Sequence, residues 1–429
     1  MKKRNAFTLI ELLAVILVIA IPRILDVIET SKKDSFKNAA QLIADSAEKK
    51  KVSDKLLGKD ESITCKDVAK INDEDYKSCT ISFDNEGNAK VSITGRGKFK
   101  GLKVIEATKT SAEVKEITKP TYGMKAVEYI SNLYDYDGEG LKVDNTVDAN
   151  VRYYGSNPNN YVSFNNELWR IIGVFGNNVK LVRKDSLGSI SWDSSESTIN
   201  NGRGINQWGE STYEDGTTYE GSDLMQYLNK MYYGGTSETC YNGENNRTTT
   251  CPTNTIDETS KSLIDNHIWN TGAIEYNTRT DTFAFYNAER GTKGKICSSG
   301  DNWNDTVTRK TEWTGYIGLP YVTDWAYASS ESVCETNMQK RDSSNEYICK
   351  NNNWMHHGSR YSSNTWYLSP YASTSAADVV WRVFGDGFAV GSNASDAIAF
   401  FPAIYLKSNV LIESGNGTSS NPYILKAGA

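Results

Sequence analysis

Glu11 is the most conspicuous ionisable residue of the chain, a carboxylate inside the apolar run 7–21, close behind Lys2, Lys3 and Arg4. An ionisable group at membrane depth is costly and is kept for a partner. The three histidines, His267, His356 and His357, offer little to build with. Two are neighbours, and neighbours on a strand or helix point in different directions. A Ser-His-Asp arrangement would have to use one of them, and no G-x-S-x-G elbow accompanies them. The seven cysteines contain no C-x2-C pair, the close spacing a structural zinc site needs. Residues 135–140 could be taken for a calcium loop, but the twelve-residue pattern ends on Glu and Thr146 stands there. An acidic turn is the simpler reading. No catalytic residue, metal or cofactor is expected, so the chain reads as a non-enzyme.

The other chemistry-bearing stretch lies near the end. Between Ser369 and Pro402 the chain offers Arg382, Phe384, Asp386, Phe388, Val390, Ser392, Asn393, Asp396, Ile398 and Phe400 as a candidate ligand-binding set. Trp381, Val383 and Ala394 fit a recurrent framework, whereas the residues between them look unconstrained by strand alternation. Phenylalanines beside Arg382, Asp386 and Asp396 would give an apolar patch with a polar rim, the usual mark of an interaction site. The alternative is that the rings are core and only the charges lie outside.

Other elements must position these residues. At 429 residues the prior is two or three domains. A net charge of −6 without a block of like charges argues against a nucleic-acid partner. A mean hydropathy of −0.54 excludes a polytopic membrane protein. The apolar pattern of 7–21 continues beyond Pro22 through Ile24, Leu25, Ile28, Phe36, Ala39, Ala40, Ile43 and Ala44, which predicts one long helix over 7–57. Pro22 lacks an N–H and should kink it. Residues 58–119 alternate with period two between Asn/Gly turns and predict a small antiparallel head. Residues 120–152 read as a linker with one short helix. The body, 153–429, opens with a hairpin turning at Asn165-Asn166, followed by a strand at 179–183 and helices at 223–232 and 260–269. Tryptophans spread through its loop-rich remainder serve as pins, each burying ~150–250 Å². Local spacing suggests the disulfides Cys65–Cys79, Cys240–Cys251 and Cys334–Cys349, leaving Cys297 unpaired.

Phe7-Thr8-Leu9-Ile10-Glu11-Leu12 behind a short basic leader resembles the prepilin-type cleavage and methylation segment of type IV pilins and pseudopilins. The resemblance implies a leader, 1–6, cut after Ala6 by a prepilin peptidase, and N-methylation of Phe7. It implies that Glu11 pairs with the Phe7 amine of a neighbouring subunit, and that the helix contacts other pilin subunits. The half 7–28 would lie first in the inner or cytoplasmic membrane and then in a filament at the bacterial surface. Two departures stand out. Ala6 replaces the usual Gly, and the apolar run has 15 residues, about 22 Å of helix at ~1.5 Å per residue, where a span needs ~20 residues. Ile24, Leu25, Val27 and Ile28 would have to insert as well. An uncleaved signal anchor is the plainer alternative. An extracellular setting favours disulfides.

The body resembles the C-type-lectin-like fold, in the branch shared with formylglycine-generating enzymes. The marks are 164–173, Leu319-Pro320-Tyr321 with Asp324 and Tyr327, Trp366-Tyr367-Leu368-Ser369-Pro370, and Pro402-Ala403-Ile404-Tyr405-Leu406. The pattern normally has Arg before the final proline, where this chain has Phe401. The generating enzymes imply reactive cysteines, but Cys297 has no second Cys within a few residues. In some such proteins a diversity-generating retroelement rewrites the terminal segment, and the residues at 382–400 include many reachable from asparagine codons. The expected fold is therefore α+β, with a long pilin helix, a small antiparallel pilin head and a large loop-rich C-type-lectin-like domain. The expected function is a surface-displayed minor or tip subunit binding a protein or glycan ligand. The alternative is a structural pilus subunit, or a pseudopilin of a type II secretion or DNA-uptake system, without a dedicated ligand. The 277 residues of 153–429 suit the former, since a subunit repeated along a filament is usually compact.

Overall fold

Helix formation at the N-terminal end follows from an apolar stripe at i, i+4, i+7, i+8 and i+11: Phe36, Ala40, Ile43, Ala44 and Ala47 are all buried. In the structure, a computed structural model, helix α1 spans Leu9–Leu56 and its backbone runs through Pro22 without a break. The structure describes residues 9–59, 63–69, 74–136, 138–194, 205–212, 216, 218–275, 280–291, 310–357, 364–372 and 377–428, with backbone alone for 9–25 and 211. Gly58, at φ +69°, ends the helix: its N–H bonds to the Lys55 carbonyl and the Lys59 N–H to that of Asp54. This is the left-handed cap that glycine allows at least cost. Among the described residues no helix is long and apolar enough to cross a membrane.

The chain divides into two compact units, Met1–Pro120 with Asn132–Gly138, and Thr121–Ser131 with Glu139–Ala429. In the first, strands β1 (Tyr76–Phe83), β2 (Ala89–Gly95), β3 (Leu102–Ala107) and β4 (Val114–Glu116) form an antiparallel meander in sequence order. Ala89, Val91 and Ile93 alternate inward from β2 and share a core with the buried stripe of α1. The β1–β2 turn is set by Asp84, whose carboxylate accepts from the Glu86 and Asn88 amides at 3.0 and 2.9 Å. A disulfide joins Cys79 on β1 to Cys65, which opens the short helix α2, Cys65–Val68. Asp135 does not stand free but pairs with Lys103 at 3.2 Å.

The boundary between units falls inside helix α3, Ala126–Tyr136. Beyond it the expected linker contributes two strands, β5 (Leu141–Val143) and β6 (Val151–Tyr153), to the main sheet of the second unit. That sheet holds β7 (Tyr161–Phe164), β8 (Glu167–Phe175) and β9 (Asn178–Arg183). Asn165 and Asn166, both at positive φ, make the β7–β8 turn. The later strand Ala403–Tyr405 pairs with β9, and Tyr423–Lys426 runs parallel to β7. A second sheet carries β10 (Gly188–Ile190), Ile398–Phe400, Thr365–Ala372, Val379–Phe384 and Phe388–Asn393 in that order.

Two helices differ from expectation. The one expected at 260–269 is a helix only over Glu258–Leu263, because Ile264 turns extended and His267–Asn270 becomes a strand against Glu312–Gly315. The one expected at 223–232 starts as an α-helix under a Ser222 cap and widens into π-type turns over Tyr227–Tyr233. There Asn229 donates to the Met225 and Ile317 carbonyls, stitching the widened turns to a neighbouring strand. The tryptophans are core: Trp169, Trp192, Trp208, Trp269, Trp325, Trp366 and Trp381 are fully buried. Several pin loops through the indole N–H, as Trp354 does on the Tyr153 carbonyl at 2.9 Å. Trp303 lies outside the described residues.

Candidate functional site

The stretch that looked free of strand alternation is a regular hairpin, Val379–Phe384 against Phe388–Asn393, with Phe384 opposite Phe388. Alternation was hidden because Val380 is buried as well as Trp381 and Val383, so apolar residues stand on both faces of the strand. Gly387 makes the turn at φ +91°, and a Cβ there would lie 2.6 Å from that of Lys350. Trp381, Val383 and Ala389 face inward, while Arg382, Phe384, Phe388 and Val390 are half-buried on the other face.

That outer face is tied into a row by residues the sequence reading missed. Tyr347 stacks on Phe388 at 4.5 Å, and Phe388 meets Phe384 at 5.3 Å. The guanidinium of Arg341 sits 4.2 Å from the Tyr347 ring and that of Arg382 sits 5.3 Å from Phe384. Arg341, Tyr347, Phe388, Phe384 and Arg382 thus form a continuous cation–aromatic row. Arg341 and Tyr347 come from the loop closed by the Cys334–Cys349 disulfide, whose short spacing was the one sequence signal pointing to them. Arg382 Nε is buried and has no hydrogen-bond partner among the described residues. Burial lowers the Arg382 pKa, with Asp396 opposing.

The remaining members of the candidate set divide. Asn393 and Asp396 are exposed, and Asp386 is half-buried at the hairpin turn. Ser392, on the same face as Val390, is buried and donates to Asp396 at 2.8 Å. Ile398 and Phe400 do not belong to a surface: they are 4% and 0% exposed. Ile398 pairs with Ile190, and the Phe400 ring packs edge-on against Tyr227 at 5.9 Å. Phe401 is buried too, stacked on His357 at 4.0 Å. Burial brings His357 down to about 4. His356 is held at the hairpin tip, 3.1 Å from the Gly385 carbonyl.

A second constellation lies wholly inside this unit. Asp324, in the helix Val322–Tyr327, holds Arg152 Nη1 at 2.6 Å on one oxygen and Lys180 Nζ at 2.6 Å on the other. Arg152 Nε in turn lies 2.5 Å from Asp144, which also accepts from Thr146 and Asn150. All four charged side chains are at most 1% exposed. Burial works against ionisation of Asp324, yet Lys180 and Arg152 hold it below the usual carboxylate range. Burial also brings Lys180 down to about 8 in spite of Asp324, and lifts the nearby Glu289 to about 7 in spite of Arg290 and Thr323. Asp324 belongs to a sequence pattern, whereas Lys180 stands alone between Val179 and Leu181 and carries no such signal.

Disulfides join Cys65 to Cys79, Cys240 to Cys251 and Cys334 to Cys349, the pairs local spacing suggested. Cys297, Ala6 and Phe7 lie outside the described residues, and Glu11 is described only as backbone of α1. A family model described as the prokaryotic N-terminal methylation motif matches residues 1–21. No curated protein and no solved structure matches the chain. The chain therefore carries a type IV pilin-like N-terminus, which implies processing by a prepilin peptidase, membrane anchoring and then pilin assembly at the surface.

Proposed function

We propose that this chain is a minor or tip subunit of a type IV pilus-like assembly, and that its second unit is a C-type-lectin-like body binding an acidic surface ligand. The ligand, glycan or protein, stacks on the aromatic row between Arg341 and Arg382. The observation that carries this reading is the row itself. Two arginines at the ends of a row of stacked, half-buried rings suit an anionic, flat-faced group. The C-type-lectin-like reading draws support from its marks: 164–173 forms the β7–β8 hairpin, Asp324 anchors the buried charges, and Trp366 and Tyr405 are core. Positions 382, 384, 388 and 390 share the face opposite Trp381, Val383 and Ala389, and they are the positions that diversification by a retroelement would rewrite. Sequencing the locus across a clonal population tests that, and a uniform segment would end it.

Binding of the purified chain to immobilised acidic and neutral oligosaccharides and surface proteins tests the main reading. Phe388→Ala and Arg382→Ala should each weaken capture of an acidic partner by about tenfold, ~1.4 kcal/mol, with the unfolding midpoint little changed. Unchanged capture, or collapse of the fold in both Phe384→Ala and Phe388→Ala, would place the site elsewhere. Glu11→Val should be cleaved after Ala6 yet fail to enter filaments, because the Phe7 ammonium loses its partner in an apolar medium.

A further inference from the structure

We propose that Lys180 and Asp324 condense into a side-chain amide that locks β9 to the helix Val322–Tyr327, with Glu289 moving the protons. The two residues are 144 positions apart, and both side chains are fully buried with Nζ 2.6 Å from the carboxylate oxygen. At that separation the nitrogen stands about 3–3.5 Å from the carboxyl carbon, the range of a near-attack geometry. Aromatic rings keep water out: Tyr321 lies 4.0 Å from Nζ, Trp269 and Tyr405 lie at 5.3 Å, and Phe175 at 5.6 Å.

The chemistry balances without a co-reactant. A proton passes from the Lys180 ammonium to Asp324, leaving a neutral amine against a neutral carboxyl; the nitrogen then bonds to the carboxyl carbon, and one carbon–oxygen bond breaks. Of the ammonium's three protons one stays on the amide nitrogen and two leave with the departing oxygen as water. Burial shifts Lys180 toward the neutral amine and Glu289 toward the neutral carboxyl, and Glu289 reaches the pair's neighbour Thr323, which puts a second proton carrier beside the reacting groups. Glu289 is fully buried and accepts from Thr323 Oγ1 at 2.8 Å, beside Asp324 in the chain. Two donors already face the oxygens on which charge would develop, Arg152 Nη1 at 2.6 Å and the Tyr321 amide at 2.9 Å.

The charges also balance before and after. Two cations face two ionised carboxylates in the ionic state. After condensation Arg152 still has Asp144 at 2.5 Å, and a desolvated ion pair has become a neutral amide. Water exclusion favours the amide, since hydrolysis needs the water that the site expels.

Intact-mass measurement of the purified full chain, disulfides reduced, reads the bond directly and needs no ligand. The wild type should weigh one water less than its sequence, and digestion should yield a branched peptide joining the Lys180 and Asp324 fragments. Lys180→Met and Glu289→Gln should weigh their full sequence masses, and Asp324→Asn should be one ammonia lighter. A folded wild type at full sequence mass, or a water loss mapped to any other position, overturns the proposal. Because the wild type alone decides, a variant that fails to fold does not rescue it.

Discussion

At Glu289 the cost of burial falls on one carboxyl group, and its sign can be worked through. The ordinary value of 4.5 rises to about 7 in the folded state, so between these pH values the folded chain binds more protons than the unfolded one. Stability therefore falls as pH rises through this window, by on the order of 3 kcal/mol at ~1.4 per pH unit. His357 opposes this trend, because burial lowers its value from 6.5 to about 4 and unfolding takes up its proton. The readout is thus the difference between wild type and Glu289→Gln in urea midpoints at about pH 5 and about pH 7.5. The variant should gain on the wild type at the higher pH, and a difference that stays flat contradicts the assignment. None of this was legible in sequence. Glu289 sits in an unremarkable helix, and only the approach of Thr323 from another element makes it a buried acid.

Among the elements, legibility followed how local the deciding interaction was. The β7–β8 hairpin could be read because Asn165-Asn166 supplies its own left-handed turn. The meander of the first unit could be read because only one of its faces is buried, which leaves the alternation visible. The strand His267–Asn270 could not, since its partner Glu312–Gly315 lies more than forty residues away. The cation–aromatic row shows the same division: the hairpin residues were picked out, while Arg341 and Tyr347 were lost in a polar loop. That loop depends on its disulfide, which spans 15 positions and should contribute about 3 kcal/mol. Cys334→Ser with Cys349→Ser should lower the unfolding midpoint and weaken acidic-ligand capture more than Phe384→Ala does, because it frees both Arg341 and Tyr347. Capture unaffected by the double change would separate the loop from the site.

For the molecule as a whole, the boundary between units decides what can stand alone. A sequence boundary at 153 discards β5 and β6, and with them Asp144 and Arg152. That removes the ion pair of Arg152 with Asp144 and the contact of Arg152 with Asp324, and breaking such a buried network costs about 3–5 kcal/mol. Fragment 121–429 should unfold in one cooperative step, while fragment 153–429 should be far less stable or aggregate. Equal denaturation midpoints for the two would show that β5 and β6 are dispensable. The pilin-like N-terminus needed no folding argument, since a peptidase reads it as a linear motif. The second unit had to be assembled from contacts that sequence spacing hides.

The parallel pairing of Tyr423–Lys426 with β7 sets a timetable. A strand made early waits for one made some 260 residues later, so its sheet cannot close during synthesis. Until residues 423–426 arrive, one edge of β7 stays open, so the sheet gains its last strands only as the chain is finished.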